Sequence, residues 1–137
     1  GFEKISLGLF KNLALVHSIT IPIGVNHITK DISKVCSLSL EESESIRNKI
    51  DFSFKNENDL FDENNNLKNV YFKNSNFRKI SKSLILNIVK SRLDEMFEMV
   101  KKQITLTGSN STFGTNLFIA GGGSNLLNLE NPKHITK

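Results

Sequence analysis

Apolar and polar residues alternate along the first part of the chain in the pattern of two β-strands. The first strand is expected over residues 5–10 and the second over residues 13–21, with the polar pair Lys11-Asn12 between them. A short polar connection between two alternating segments predicts a β-hairpin. Pro22 and Gly24 then end the second strand, because neither residue favours its continuation.

Two short helices are predicted after the hairpin. The first has apolar residues at helical spacing behind Asn26, a residue type that caps helices. These apolar residues are Ile28, Ile32 and Val35. The second begins with Ser39 and Glu42, which have the spacing of a capping box, and we expect it to run to about Ile50.

The longest helix is predicted to begin at Ser81. One stripe at helical spacing continues from there over about 30 Å, at about 1.5 Å per residue. Its members are Ile85, Ile88, Val89, Arg92, Leu93, Met96, Phe97, Val100 and Ile104. Arg92 is the charged member of this otherwise apolar stripe, which makes it a candidate functional residue.

The remaining segments are predicted from shorter patterns. Residues 52–54 and 70–72 resemble two short strands, and the acidic, Asn-rich residues 56–66 between them are predicted to form a solvated hairpin tip. Residues 107–114 are expected to be a loop. An apolar strand over residues 117–120 then enters a triple-glycine turn, and a last helix starts at about Asn125. This succession of strands and helices indicates an α/β class.

Composition narrows the possible functions. The 137 residues correspond to one domain, and the net charge of +4 suits an acidic partner, although a Lys- and Asn-rich codon bias produces the same excess. Cys36 is the single cysteine, which excludes an internal disulfide and a cysteine-based zinc cluster. The three histidines lack metal-ligand spacing, and no catalytic triad is recognisable. The longest apolar run, residues 13–16, is too short to span a membrane.

Two elements have the residue types that bind nucleotides. At Gly121-Gly122-Gly123-Ser124 the missing side chains let backbone N–H groups approach a phosphate or a base, although the same residues also make tight turns. Glu44 and Arg47 share one helix face. A carboxylate accepts hydrogen bonds from ribose hydroxyls, and a guanidinium stacks on a base or pairs with phosphate. Their spacing is equally that of an ordinary surface ion pair.

Arg92 has two interpretations. A lone arginine in an apolar stripe often extends along the edge of the core so that its charge reaches water. Alternatively, Arg92 is a docking charge for an acidic or C-terminal peptide, supported by nearby lysines. These lysines are Lys79, Lys82 and Lys90.

The order of these elements resembles the actin-like ATPases, and within them the FtsA family of bacterial cell-division proteins. Residues 23–32 are similar to the family segment Pro-x-Gly-Gly-x-x-Ile-Thr-x-Asp-Ile. Residues 81–104 resemble the family helix with the pattern Ile-Ile-Glu-Pro-Arg…Glu-(Ile/Met)-Phe-Glu-(Leu/Met)-Val. Residues 118–126 resemble the adenosine motif. The resemblance extends over nearly the whole chain.

The resemblance implies a ribonuclease-H-like half of an actin-type ATPase fold. Residues 1–36 and 107–137 would form subdomain 2A, which faces the nucleotide and is incomplete here. Residues 37–106 would form the inserted, partner-binding subdomain 2B. The chain is therefore expected to be a fragment from the C-terminal half of a longer protein.

The resemblance also implies site residues. ATP with Mg²⁺ would be bound by Gly1, Lys4, Gly24, Glu44, Arg47, Gly121, Gly122, Gly123 and Ser124. Arg92 and Lys82 would bind the C-terminal tail of FtsZ. No catalytic residue and no protein metal ligand is assigned. Where the family has a Gly-Gly-Thr-Thr-like phosphate loop, this chain reads Phe2-Glu3-Lys4-Ile5, so we expect at most slow hydrolysis.

The favoured function is that of an ATP-binding cell-division adaptor. Such a protein polymerises and tethers the FtsZ ring to the inner face of the cytoplasmic membrane, through a C-terminal helix that lies outside these residues. The alternative is an actin-fold ATPase of chaperone or phosphotransferase type, whose output is nucleotide turnover. A nucleic-acid-binding role is disfavoured because the basic residues are not interleaved with stacking aromatic residues.

Overall fold

Two strands, four helices and one 3₁₀ turn make up the described part of the chain. The computed structural model describes residues 1–50 and 57–107. In chain order the elements are β1 (Ile5–Lys11), β2 (Ala14–Ile21), α1 (Val25–Cys36), α2 (Leu40–Lys49), α3 (Glu57–Leu60), the 3₁₀ turn (Asn69–Tyr71) and α4 (Lys82–Leu106). This is an α/β arrangement with a two-stranded sheet.

The predicted hairpin is confirmed, with its turn one residue later than expected. β1 and β2 are antiparallel, and Lys11 pairs with Ala14. The connecting residues are therefore Asn12 and Leu13, whose φ angles of 51° and 65° lie in the left-handed region. Two consecutive residues of this kind form the turn type that matches the twist of a hairpin, and asparagine tolerates this conformation well.

Helix α1 begins at a different residue from the one predicted. Gly24, rather than Asn26, is its N-cap. The first helical N–H groups are bound by the N-terminal segment: Val25 N donates to Gly1 O at 3.1 Å, and Asn26 N donates to Phe2 O at 2.8 Å. A Cβ on Gly24 would lie 2.5 Å from Phe2 O, so only glycine lets the two segments approach this closely.

The capping box of helix α2 is confirmed. The backbone N–H of Glu42 donates to the Ser39 hydroxyl at 3.1 Å, and the Ser39 N–H donates to the Glu42 carboxylate at 2.7 Å. The helix ends at Lys49 with Ile50 as its C-cap, as predicted. Leu40 is exposed, and the buried residues of α2 are Glu42, Ser43 and Ile46.

Two predictions for the middle of the chain are wrong. Val70 and Tyr71 belong to the 3₁₀ turn Asn69–Tyr71 and not to a strand. Residues 56–66 do not form a solvated hairpin tip, because Leu60 and Phe61 are buried in the core. The other expected strand, residues 52–54, lies outside the described residues. So do residues 108–114 of the expected loop, the expected strand 117–120, the glycine turn and the last helix.

Helix α4 is confirmed and connects two apolar clusters. Ser81 caps it by accepting a hydrogen bond from Leu84 N at 3.2 Å. Its N-terminal half packs with α1 and α2 in the larger cluster through Ile85, Val89 and Leu93. Val100, near its other end, packs with residues of the hairpin in the smaller cluster. The stripe predicted from the sequence is therefore the side of α4 that holds the helices and the sheet together.

None of the helices in residues 1–50 and 57–107 is both long enough and apolar enough to cross a membrane.

Candidate functional site

An open cleft of about 350 Å³ lies where α1 packs against α4. Its lining combines charged, polar and apolar side chains from these two helices. The lining residues are Asp31, Val35, Asn87, Ile88, Ser91, Arg92 and Glu95. Arg92, which the sequence singled out, is therefore at the centre of a concave surface rather than on a flat one.

Arg92 is bound by two carboxylates of its own chain. Its Nε donates to Asp31 Oδ2 at 2.6 Å and its Nη2 donates to Asp31 Oδ1 at 2.8 Å, a bidentate pair between α4 and α1. Its Nη1 donates to Glu95 Oε2 at 3.0 Å. The hydrogen bonds that Arg92 donates to Asp31 raise its already high pKa, so the guanidinium is always charged.

Asp31 is a residue of this cleft that was not predicted from the sequence. A signal was present: an arginine inside an apolar stripe requires a carboxylate partner when the stripe is buried against another helix. Asp31 is an acid one turn before Val35 on α1, which itself has an apolar stripe. The sequence does not say which acid faces Arg92, because the two residues are 61 positions apart.

The rest of the cleft is lined by two apolar and two polar side chains. Val35 on α1 is 55% exposed, although its spacing with Ile28 and Ile32 suggested a core residue. Together with the half-buried Ile88 it supplies the apolar part of the surface. Asn87 and Ser91 are four residues apart on α4 and therefore follow one another along the helix.

Lys82 does not line the cleft. It is the first residue of α4, and its backbone N–H donates to Asn65 O at 2.8 Å. Ten residues of helix separate it from Arg92, which corresponds to about 15 Å along the axis. The structure therefore places the two predicted partner-binding residues on the same helix but not in the same concavity.

The predicted nucleotide-facing pair is partly occupied by contacts within the chain. Glu44 Oε1 lies 3.6 Å from Arg47 Nη2. The Arg47 side chain is only 11% exposed, and its Nε donates to the Thr29 hydroxyl of α1 at 2.7 Å. Thr29 was missed by the sequence analysis. The Arg47 guanidinium helps to hold α2 on α1, whereas the Glu44 carboxylate is half exposed and free to accept further hydrogen bonds.

Gly1 and Gly24 lie close together, and the backbone of the N-terminal segment fills the space beside Gly24. The first N–H groups of α1 are bound by the carbonyls of Gly1 and Phe2, so this helix start does not present free donors to a phosphate. Lys4 is exposed beside it. Gly121, Gly122, Gly123 and Ser124 lie outside the described residues. The described residues therefore fit ATP only in part, and residues 1–50 and 57–107 contain no group of three metal-ligating side chains for Mg²⁺.

Glu42 has a second function that its capping spacing does not reveal. Its carboxylate is 1% exposed and accepts hydrogen bonds from the backbone N–H groups of Asn74 and Ser75, at 2.7 and 2.9 Å, and from the Ser75 hydroxyl. Burial alone would raise the pKa of Glu42, but the hydrogen bonds from Ser75, Asn74 and Ser39 outweigh it and lower the pKa to about 2. This carboxylate fixes the segment before α4.

Comparison with known families places this geometry in context. The family model described as "Cell division protein FtsA" matches residues 1–132, nearly the whole chain. The chain belongs to the FtsA family. Membership in FtsA implies an actin-like fold, in agreement with the α/β arrangement of strands and helices found here.

The matched FtsA relatives are distant and much longer. Cell division protein FtsA of Agrobacterium fabrum is 23% identical over 129 residues, covering 94% of this chain and 29% of the relative. That of Buchnera aphidicola is 25% identical over 133 residues, covering 92% of this chain and 31% of the relative. The chain thus spans about 30% of the length of the curated relatives it matches. No solved structure matches it.

Proposed function

We propose that the chain is part of an actin-like cell-division adaptor that binds ATP, polymerises and tethers the FtsZ ring to the membrane. The observation that carries the proposal is the cleft at Arg92, in a chain whose residues 1–132 match the FtsA family model. The adaptor acts at the inner face of the cytoplasmic membrane at the division site. Its membrane contact is made by a C-terminal helix outside these residues.

In this proposal residues 1–36 and 107–137 form subdomain 2A, and residues 37–106 form the inserted subdomain 2B. Both apolar clusters contain residues of the two subdomains. Helix α4 would join 2B to 2A, because it packs against α1 and against β2. The Arg92–Asp31 pair would lie in the same contact.

The proposed partner of the cleft is the C-terminal tail of FtsZ. An open concavity of about 350 Å³ accommodates a few side chains of a docked peptide, and Val35 and Ile88 offer them apolar surface. Arg92 fixes the shape of the cleft, and Lys82 contributes a positive charge at the start of the same helix.

The proposed nucleotide contacts rest on fewer observations. Glu44 would accept a hydrogen bond from the ribose, Arg47 and residues 121–124 would face the adenosine, and Gly1, Lys4 and Gly24 would face the phosphates. Bound ATP would order the two halves of the fold. Glu3 at the phosphate segment disfavours rapid hydrolysis, since it adds a negative charge where relatives have hydroxyls.

The test is binding of a fluorescent FtsZ tail peptide, measured by anisotropy. Arg92→Glu should abolish saturable binding, but it also breaks the bidentate pair with Asp31, so a folded spectrum is required. Val35→Ser removes an apolar contact from an exposed position and should weaken binding about threefold to tenfold. Val70→Ser is the matched control, because Val70 is 68% exposed and does not line the cleft.

Equal binding by the wild-type chain and the Val35→Ser and Arg92→Glu variants would remove the cleft from the proposal.

Nucleotide turnover separates the adaptor from the ATPase alternative. Rapid turnover by the protein, lost on substitution of Glu3, would favour the chaperone or phosphotransferase class.

A further inference from the structure

The charge of the Arg92 cleft is negative, although its central residue is an arginine. The charged lining residues are the Arg92 guanidinium and the carboxylates of Asp31 and Glu95. The two carboxylates exceed the single cation, so the cleft has a net charge of −1. This sign is opposite to that of the chain as a whole, which is +4.

Most of the donor capacity of Arg92 is already used within the chain. Three of its five N–H groups donate to carboxylates, those on Nε and Nη2 to Asp31 and one on Nη1 to Glu95. A ligand carboxylate that accepted from the remaining two would lie close to both of these carboxylates. Their repulsion disfavours an acidic ligand.

Glu95, in contrast, retains acceptor capacity. It is 56% exposed, and among the described residues its Oε1 accepts no hydrogen bond. A carboxylate has about four acceptor positions, of which the contact with Arg92 uses one. An ammonium or guanidinium group of a ligand can therefore pair with Glu95 without breaking the Arg92–Asp31 pair.

The apolar part of the cleft lies beside this acceptor. Val35 and Ile88 offer apolar surface, and Ser91 lies between Ile88 and Glu95 on the same helix. We infer that the cleft is selective for a peptide segment that carries a basic side chain close to an apolar one. The basic group pairs with Glu95 and the apolar side chain packs on Val35 and Ile88. This inference rests on the proposed docking function and specifies the chemistry of the docked segment.

The test uses two blocked eight-residue peptides that share their leucines and differ only in having two lysines or two glutamates. Their binding to the chain is followed by the backbone amide NMR shifts of Asn87, Ser91 and Glu95, which also detect weak binding. The lysine peptide should bind about threefold to tenfold more tightly than the glutamate peptide, the range expected for exposed ion pairs.

Glu95→Lys should reverse this preference, because it changes the charge of the cleft from negative to positive. Asp94→Lys is the matched control. It changes the charge of the chain by the same amount on the neighbouring, exposed residue, which does not line the cleft. The preference for lysine should therefore survive in Asp94→Lys. Equal effects of the two variants, or tighter binding of the glutamate peptide to the wild-type chain, would overturn the inference.

The FtsZ tail peptide is measured in parallel, so that failure of the inference and failure of the proposed function can be told apart. Tail binding that is weakened by Val35→Ser but not by Glu95→Lys would retain the docking function and reject the basic selectivity. Absence of amide shifts in the cleft with all three peptides would reject both.

Discussion

Glu42 offers the sharpest test of how this fold is held together. Its buried carboxylate caps α2 and also binds the backbone of Asn74 and Ser75, so one charge connects two distant segments. Glu42→Gln keeps the size of the side chain and removes the charge. The amide then has one oxygen where the carboxylate had two, and at least one of the buried donors loses its partner.

The magnitude follows from the pKa. Glu42 has a pKa of about 2 in the folded chain and an ordinary value of 4.5. A pKa lowered by folding contributes stability that is present above the ordinary value and is lost as the pH falls through the folded value. The shift contributes about 3 kcal/mol to the free energy of unfolding at pH 7. This contribution falls to about 2 kcal/mol at pH 3.5 and about 1 kcal/mol at pH 2.5.

The assay is urea denaturation followed by circular dichroism at these three pH values. Glu41→Gln is the control, because Glu41 is exposed, lies in the same first turn and loses the same charge. Glu41→Gln should lower the free energy of unfolding by only about 0.5 kcal/mol, because it removes a favourable interaction with the helix dipole. The reasoning is refuted if Glu42→Gln costs no more than Glu41→Gln at pH 7, or if the deficit of Glu42→Gln persists undiminished at pH 2.5.

Two further predictions concern contacts between distant segments. Gly24→Ala should destabilise the chain by about 2–4 kcal/mol, because its Cβ would meet the backbone carbonyls of the N-terminal segment at 2.5–2.6 Å. Gly8→Ala is the control, because its Cβ meets only side chains at 3.3 Å, and it should destabilise the chain by less than about 1 kcal/mol. Both variants are measured by thermal melting, and equal losses of stability would contradict the reasoning. Asp31→Asn should cost about 1–2 kcal/mol in urea by weakening the bidentate pair with Arg92, and the cost should persist in 1 M salt because the pair is partly buried. A loss that disappears in salt would show the pair to be a surface contact.

The elements that depend on neighbouring residues were predictable from the sequence. The hairpin, the Ser39–Glu42 capping box and the helix beginning at Ser81 each rest on a pattern within a few residues. The backbone satisfies its hydrogen bonds locally in such elements, so a local pattern suffices. The Arg92 position could be recognised for the same reason, since it interrupts a regular apolar stripe.

The errors and omissions share one cause. The polar character of residues 56–66 predicts a solvated segment, yet Leu60 and Phe61 are buried by contacts with distant helices. Asn26 has the better capping side chain, but Gly24 caps α1 because the N-terminal segment lies against it. In both cases a long-range contact outweighed a local preference.

The local patterns were enough to establish the secondary structure of most of the described chain, and the resemblance to FtsA came from motifs read in order. Only the packing of α1 on α4 decided that Arg92 pairs with Asp31, and the cleft owes its negative charge to this carboxylate together with that of Glu95 on α4. Likewise, only packing decided that Arg47 binds Thr29. The charge and shape of a site depend on pairs of residues far apart in sequence, and their pairing is determined by the close packing of the whole core.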